Sequence, residues 1–391
     1  MDKIEEVLTR GVEKIYPSKE ALEKVLRSGK KLRIYNGIDP TGKLHLGHMV
    51  VLKKLRQLQD LGHDIIVLIG DFTAQIGDPS DKFATRRQLT KEEVEKNSAN
   101  YKELIGKILD LKKANVRFLH NEEWTNKLKP VDMLQLASYF TVSQLIERDM
   151  FQKRFKEGKE VYVHEFLYPI FQAYDSVTMD VDMEIGGNDQ TFNMLAGRTL
   201  MKKLLNKEKF VLTTQLLAQP GKEKMGKTTG NLIALDEKPN EMFGKIMSWP
   251  DEMIQPGFKL LTNISLETMA ASPLSLIAKK KWLAREIVAN LYSEKDAKEA
   301  QENFEKVFQK KELPQENILV HEIKPIEKED VIKVLTESGL ASSKSEAKRL
   351  IAQGGVDVDG KTIKEISEVK LEDGSIIKAG KKKFLKIKIE K

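Results

Sequence analysis

The sequence predicts an α/β fold: a parallel sheet with a helical insertion, then an α-helical domain and a small α+β module. Three observations carry that expectation. A strand, a tight turn and the opening of a helix follow one another at 32–48, and the same order returns at 183–194. From 240 to about 311 the pattern is mostly helical. Beyond Pro314 the composition shifts to short helices, a hairpin signal and a basic end.

A chain of 391 residues is long enough for two or three domains, and 40% hydrophobic residues permit a sizeable core. Cysteine is absent (Cys 0), which excludes disulfides and thiolate metal sites and makes a cytoplasmic location the expectation. The 6 histidines are scattered, which leaves few ways to build a zinc site. No apolar run reaches membrane-spanning length, and Met1-Asp2-Lys3-Ile4-Glu5-Glu6 is unlike a signal peptide. Lys+Arg 66 against Asp+Glu 59 gives a net charge of +7. That excess permits nucleic-acid binding and equally describes a solvated surface.

Residues 1–30 read as amphipathic helix, with Ser18 as an N-cap after Pro17. Leu32-Arg33-Ile34-Tyr35 reads as a buried strand. After a turn, Met49, Leu52, Leu55 and Leu58 give a helical pattern that stops at Gly62. Ile65-Ile66-Val67-Leu68-Ile69 then completes a β-α-β unit. The turn runs from Tyr35 through Gly37, Asp39 and Thr41 to His45-Leu46-Gly47-His48. It opens a helix whose unpaired N–H groups and positive dipole end suit a phosphate. His45 and His48 leave one face of the first turn, and Gly47 lets a flat ring approach the backbone. Two readings stay open there: imidazoles that donate to phosphate and ribose oxygens, or histidines that only cap the helix. Neither G-x-G-x-x-G nor G-x-x-x-x-G-K-[ST] occurs at this turn.

The second strand leads into small residues up to Ser80, and the carboxyl end of a strand is where open α/β sheets bind ligands. Asp78 there either anchors an ammonium group or closes a turn before Pro79. Lys82, Arg86 and Arg87 form a basic loop, closing over an anion or lying in solvent, before Thr90 caps a helix. A short strand at 116–119 precedes a long helix expected from about Val131 to Phe155, and another helix spans 163–177. On that last helix Tyr168, Gln172 and Asp175 stand at i, i+4 and i+7, so they share one face. Such a polar stripe lines a polar pocket or meets solvent.

Met183-Glu184-Ile185 leads into Gly186-Gly187-Asn188-Asp189-Gln190, where paired glycines let a ligand touch the backbone and Asp189 can accept from ribose hydroxyls. A plain connection uses the same residue types. Residues 211–217 read as the last strand. Then comes a glycine-rich cationic loop, Lys224-Met225-Gly226-Lys227-Thr228, suited to transient phosphate contact, although surface loops share its composition. Trp249-Pro250 and Pro256-Gly257 read as breaks in the helical stretch. In the last module, 331–339 reads as a short helix, Ser343 and Glu346 open a second, and Asp359-Gly360 marks a hairpin. Lys344, Lys348 and Arg349 make the second helix cationic beside the lysine-rich end, which suggests RNA binding.

Together these stretches closely resemble the bacterial-type tyrosyl-tRNA synthetases, class I aminoacyl-tRNA synthetases, over nearly the whole chain. His45-Leu46-Gly47-His48 is similar to the family's first signature and Lys224-Met225-Gly226-Lys227-Thr228 to its second. Gly226 stands where a serine is usual in class I, a change that also occurs within tyrosyl enzymes. The stretches around Tyr35, Asp78, Tyr168 and Gly186 match as well.

The resemblance implies a Rossmann-like catalytic domain at 1–235 with a dimer-forming helical insertion at about 115–180. It implies an α-helical anticodon-region domain at 236–323 and an S4-like RNA-binding domain at 324–391. Tyr35 and Asp175 would bind the substrate phenol, Asp78, Tyr168 and Gln172 its ammonium group, and Gln190 would sit near its carboxylate. Gly37, Asp39 and Asp189 would meet the nucleoside; Thr41 and His45 the ATP phosphates; His48 the ribose; Gly47 and Gly187 would belong to the same ATP site. Lys82, Arg86, Lys224, Lys227 and Thr228 would gather on departing pyrophosphate. The implied activity joins L-tyrosine to tRNA(Tyr) using ATP with Mg2+, in a homodimer with no resident metal and no membrane contact. The tryptophanyl synthetases share the fold and both signatures; the Tyr35–Asp175 pair and the terminal module argue for tyrosine. The intact signatures argue against a non-catalytic RNA-binding protein, and the helical and terminal domains argue against a nucleotidyltransferase of another metabolite.

Overall fold

The computed structural model describes residues 2–77, 89–219, 232–306, 319–323, 331–363, 369, 371–380 and 383–389. It forms two compact units, Met1–Ala297 and Lys298–Lys391.

The first unit is built on a six-stranded sheet of order β1-β6-β5-β2-β3-β4. Its strands are Val12–Tyr16 (β1), Arg33–Ile38 (β2), Asp64–Ile69 (β3), Val116–His120 (β4), Met183–Gly187 (β5) and Phe210–Thr214 (β6). β2 to β6 run parallel, and β1 joins antiparallel along β6. Ile34, Ile65, Val67 and Met183 are fully buried, as expected of strands covered on both faces. The helix Leu46–Asp60 lays Leu46, Met49, Leu52, Leu55 and Leu58 into this core. From β2 the chain builds outward to β3 and β4, then returns to the other side of β2 for β5 and β6. The strand order therefore reverses between β2 and β5, and their carboxyl ends diverge to leave a crevice there.

Several local expectations are corrected. Residues 1–30 are not continuously helical: helices Lys3–Thr9 and Lys19–Arg27 flank β1. Gly11, at φ 66°, ends the first helix, and the following residues pair with β6, Val12 opposite Thr214 and Tyr16 opposite Val211. A partner strand almost two hundred residues away decides that segment. Ser18 does cap the second helix, accepting from Ala21 N–H. The single helix expected across 131–155 is three, Pro130–Ser138, Val142–Ile146 and Asp149–Lys156. Thr141 restarts the chain with a capping box to Gln144. Pro256-Gly257 is no break: both lie inside the helix Ile254–Leu261, where Pro256 falls in the first turn and its missing N–H has no carbonyl to meet. The last strand ends at Thr214 rather than 217.

Helices Pro239–Met247, Ile254–Leu261, Leu266–Ala271 and Leu276–Leu291 belong to this same unit. Arg10 ties them to the N-terminal helix, its guanidinium donating to the carbonyls of Phe258, Lys259, Thr262 and Ile264 at 2.6–3.0 Å.

The second unit holds a five-stranded sheet of order β7-β11-β10-β8-β9. The strands are Leu319–Ile323 (β7), Val356–Val358 (β8), Lys361–Thr362 (β9), Ile376–Ala379 (β10) and Lys383–Ile389 (β11). β7 precedes residue 324, where the terminal module is expected to start, yet it pairs parallel with β11. Helices Val331–Glu337 and Lys344–Ala352 cover a core of Val334, Leu335, Ile351, Val356, Ile377 and Leu385. The hairpin at Asp359-Gly360 has φ of 50° and 82°, as a type I′ turn requires. Among the described residues no helix is long and apolar enough to cross a membrane.

Candidate active site

A cavity of about 500 Å³ opens where β2 and β5 part. It gathers Tyr35, Gly37, Asp39, Thr41, His45, Gly47 and His48 from β2 and the turn after it, and Tyr168, Gln172 and Asp175 from the helix Val163–Thr178. Gly187, Asp189 and Gln190 reach it from the end of β5.

The outer end is the histidine turn. Gly47 N–H donates to His45 Nδ1 at 3.1 Å, and His45 N–H donates to His48 Nδ1 at 3.1 Å. Both rings therefore cap the helix and line the cavity. A ring that accepts at Nδ1 in its neutral form carries its proton on Nε2, as a donor. The turn is held from both sides. Asn97 Nδ2 donates to the Pro40 carbonyl at 2.8 Å, and the Tyr101 hydroxyl donates to the Gly42 carbonyl. On the other side Leu46 N–H donates to Ile233 O at 3.0 Å, Leu235 N–H to Leu44 O at 2.9 Å, and Lys43 pairs with Asp236 at 2.9 Å.

The middle is set by Asp39. Its carboxylate accepts from the Thr73 hydroxyl at 2.7 Å and the Tyr168 hydroxyl at 2.8 Å. Gly70, at the end of β3, makes room for it: a Cβ there would collide with Asp39 Oδ1 and lie 2.5 Å from Thr73 Oγ1.

The inner end is a buried polar floor. Tyr35 Oη lies 2.9 Å from Ser176 Oγ. Asp175, 2% exposed, accepts from Trp124 Nε1 at 2.7 Å and from Asn121 Nδ2 at 3.2 Å. Burial pushes the Asp175 carboxyl well above the usual range, opposed by the Trp124 and Asn121 donors and reinforced by Glu184 and Asp39. Burial, then the Glu184 and Asp175 carboxylates, push the Tyr35 hydroxyl well above 10, so it stays protonated. A floor of a phenol and a carboxylate can both donate to and accept from a ligand hydroxyl.

Asp78, Lys82, Arg86, Lys224, Lys227 and Thr228 lie outside the described residues. Among the described residues no group of three His, Cys, Asp or Glu could hold a metal ion.

Known proteins resemble this chain in sequence and in fold. The family model for class I tRNA synthetases (W and Y) matches residues 27–309. The chain belongs to that family. A second model, the S4 domain, matches residues 331–373 of this synthetase. The tyrosine–tRNA ligase of Thermotoga maritima is 46% identical over 391 residues, 97% of this chain and 96% of that protein. The tyrosine–tRNA ligase of Carboxydothermus hydrogenoformans is 45% identical over 406 residues, 99% and 98% of the two chains. Among solved structures, the Archaeoglobus fulgidus tyrosyl-tRNA synthetase complexed with L-tyrosine superposes with a TM-score of 0.61, at 24% identity, over 76% of this chain and 98% of that one. The truncated Aspergillus nidulans mitochondrial tyrosyl-tRNA synthetase gives 0.64 at 22% identity, over 78% and 94%. Those two likenesses concern the fold alone.

The synthetase site also holds residues that sequence reasoning missed: Thr73, Asn121, Trp124, Ser176, Glu184 and Lys209. Asn121 directly follows β4, and a polar residue at the carboxyl end of a parallel strand was the available signal. Lys209 gave none, because Lys207-Glu208-Lys209 reads as a solvated run.

Proposed function

We propose that this synthetase is a tyrosine–tRNA ligase, activating L-tyrosine with ATP to tyrosyl-adenylate and pyrophosphate and then transferring tyrosine to the 3′ end of tRNA(Tyr). One observation carries the amino-acid assignment: Tyr35 and Asp175 share the buried floor of the cavity whose mouth is the histidine-capped helix. The substrate phenol donates to Asp175 and accepts from Tyr35. Phenylalanine would leave each of them short of one hydrogen bond, at a cost of about 1–3 kcal/mol per buried group. Tyr168 and Gln172, with Asp78, hold the ammonium group, and Gln190 lies toward the carboxylate.

In the first step the tyrosine carboxylate attacks the α-phosphorus of ATP and pyrophosphate departs. A carboxylate needs no base, so catalysis lies in positioning and in donors aimed at developing charge. The Nε2 protons of His45 and His48, beside the positive dipole end of the helix, supply such donors. Thr41, Gly47, Gly37, Gly187, Asp39 and Asp189 place the nucleotide. Lys82, Arg86, Lys224, Lys227 and Thr228 take up charge on the leaving pyrophosphate, which travels with Mg2+ as part of the substrate complex. In the second step the terminal ribose of the tRNA takes the acyl group and AMP leaves.

The domain roles are part of the same reading: catalysis in 1–235, an anticodon-region helical domain from 236, and RNA contact by the S4-like module. The working unit is a homodimer. Its support is a cluster of large apolar side chains around 130–163, where Val131 is 64% exposed, Leu134 73%, Val142 70% and Val163 78%. Sedimentation showing a monomer would remove that part. The central test is ATP–pyrophosphate exchange. Tyrosine-dependent exchange is expected; tryptophan-dependent exchange, or none, would overturn the assignment.

A further inference from the structure

Among the described ion pairs, Lys209 with Glu184 is the most enclosed, its side chains 0% and 2% exposed. Burying such a pair is seldom the cheapest way to fill a core, since both ions lose water. Its position suggests another reason. Lys209 directly precedes β6, and Glu184 is in the neighbouring β5, on the cavity wall. The ammonium donates to Glu184 Oε2 and, at 2.8 Å, to Ser176 Oγ. Gly197, on the helix Thr191–Leu205, leaves the space: a Cβ there would collide with Lys209 Nζ and lie 2.8 Å from Ser176 Oγ.

We propose that Glu184 and Lys209 are positioning residues whose ion pair fixes the direction of hydrogen bonds at both ends of the amino-acid subsite. This rests on reading the cavity as a tyrosine subsite. A lysine ammonium has no acceptor. Ser176 Oγ therefore accepts from it, which leaves its own proton available for Tyr35 Oη, 2.9 Å away. Tyr35 then accepts from Ser176 and has its O–H to donate to the substrate phenol, whose own proton goes to Asp175. At the other end, an ionised Glu184 only accepts. Gln172 must present Nε2 to Glu184 Oε1, at 2.9 Å, which turns its amide oxygen away as an acceptor. An acceptor is what a substrate ammonium group needs. A neutral glutamine in place of Glu184 could meet Gln172 with either end, so only the charged pair dictates both orientations.

The charged and titratable groups shown around Glu184 are Lys209 before β6, Tyr35 on β2 and Asp175 on the helix Val163–Thr178.

The test uses the full chain in ATP–pyrophosphate exchange, with tyrosine and ATP titrated separately. Lys209→Met should raise the tyrosine KM at pH 7 about 30-fold, the scale of a lost charge-assisted hydrogen bond, and leave the ATP KM within about twofold. Equal changes in both KM values, or an unchanged tyrosine KM, would overturn the proposal. If Lys209→Met does not fold, Ser176→Ala decides. It removes the hydroxyl that joins the Lys209 ammonium to Tyr35 and leaves the Lys209–Glu184 pair in place, and preference for tyrosine over phenylalanine should fall about tenfold, while an unchanged preference refutes the link. Absence of tyrosine-dependent exchange in the parent would instead remove the subsite reading itself, so the two failures are distinct.

Discussion

Trp124→Phe removes a single N–H from the floor of the cavity and keeps an aromatic ring in place. Trp124 Nε1 donates to Asp175 Oδ1 at 2.7 Å, and Asp175 is 2% exposed. Water does not replace that donor. A hydrogen bond to a charged group contributes about 1.5–3 kcal/mol, which is roughly 10- to 150-fold in affinity. Asn121 Nδ2, at 3.2 Å, remains and keeps the loss from being total. The donor also holds the Asp175 carboxyl down against burial, so losing it lets the carboxyl rise further. A neutral carboxyl accepts poorly from the substrate phenol. The tyrosine KM of the variant should therefore climb as pH falls, beginning at a higher pH than in the parent. Pyrophosphate exchange measures this directly: tyrosine KM up at least tenfold, ATP KM nearly constant. A tyrosine KM within about twofold of the parent at every pH, or a loss expressed in ATP binding, would refute the reasoning from Asp175.

Gly70→Ala pushes a methyl group into Asp39 and Thr73; overpacking of about 1–3 kcal/mol should lower the melting temperature by several degrees and raise the ATP KM, and an unperturbed melt would count against the tight packing there. Lys227→Ala should slow adenylate formation in single-turnover measurements while tyrosine binding at equilibrium stays within about twofold. Lys54→Met addresses stability. Burial lowers the Lys54 ammonium to about 7 from its usual 10.5, so between those values the unfolded chain binds more protons than the folded one. Stability of the parent relative to the variant should then rise with pH across that window, measured by denaturant unfolding; a constant difference would mean that Lys54 titrates normally.

Much of the site was legible because its chemistry follows local spacing. Tyr168, Gln172 and Asp175 declare a shared face by their periodicity, and the structure turns that face to the cavity. The histidine turn announces itself through a strand, a glycine and a helix start. What escaped depends on partners far away in the chain. β1 exists because β6 offers an unpaired edge, and no residue within 12–16 reveals that edge. The breaks in 131–155 rest on Thr141, whose capping box is visible only once a helix is known to begin there. Glu184 and Lys209 were hidden by their type, since a charge next to a strand reads as exposed. Only the packing of β5, β6 and two helices places both out of reach of water.

The two histidines hold the start of their helix with the same nitrogen atoms that decide which side of each ring carries hydrogen. A proton taken up by either imidazole must sit on Nδ1 and evict the backbone N–H now bound there. The neutral rings thus hold the first turn of Leu46–Asp60, each through the nitrogen that bears no hydrogen. Replacing either imidazole by a side chain without that acceptor should fray the turn, followed by hydrogen exchange at Gly47.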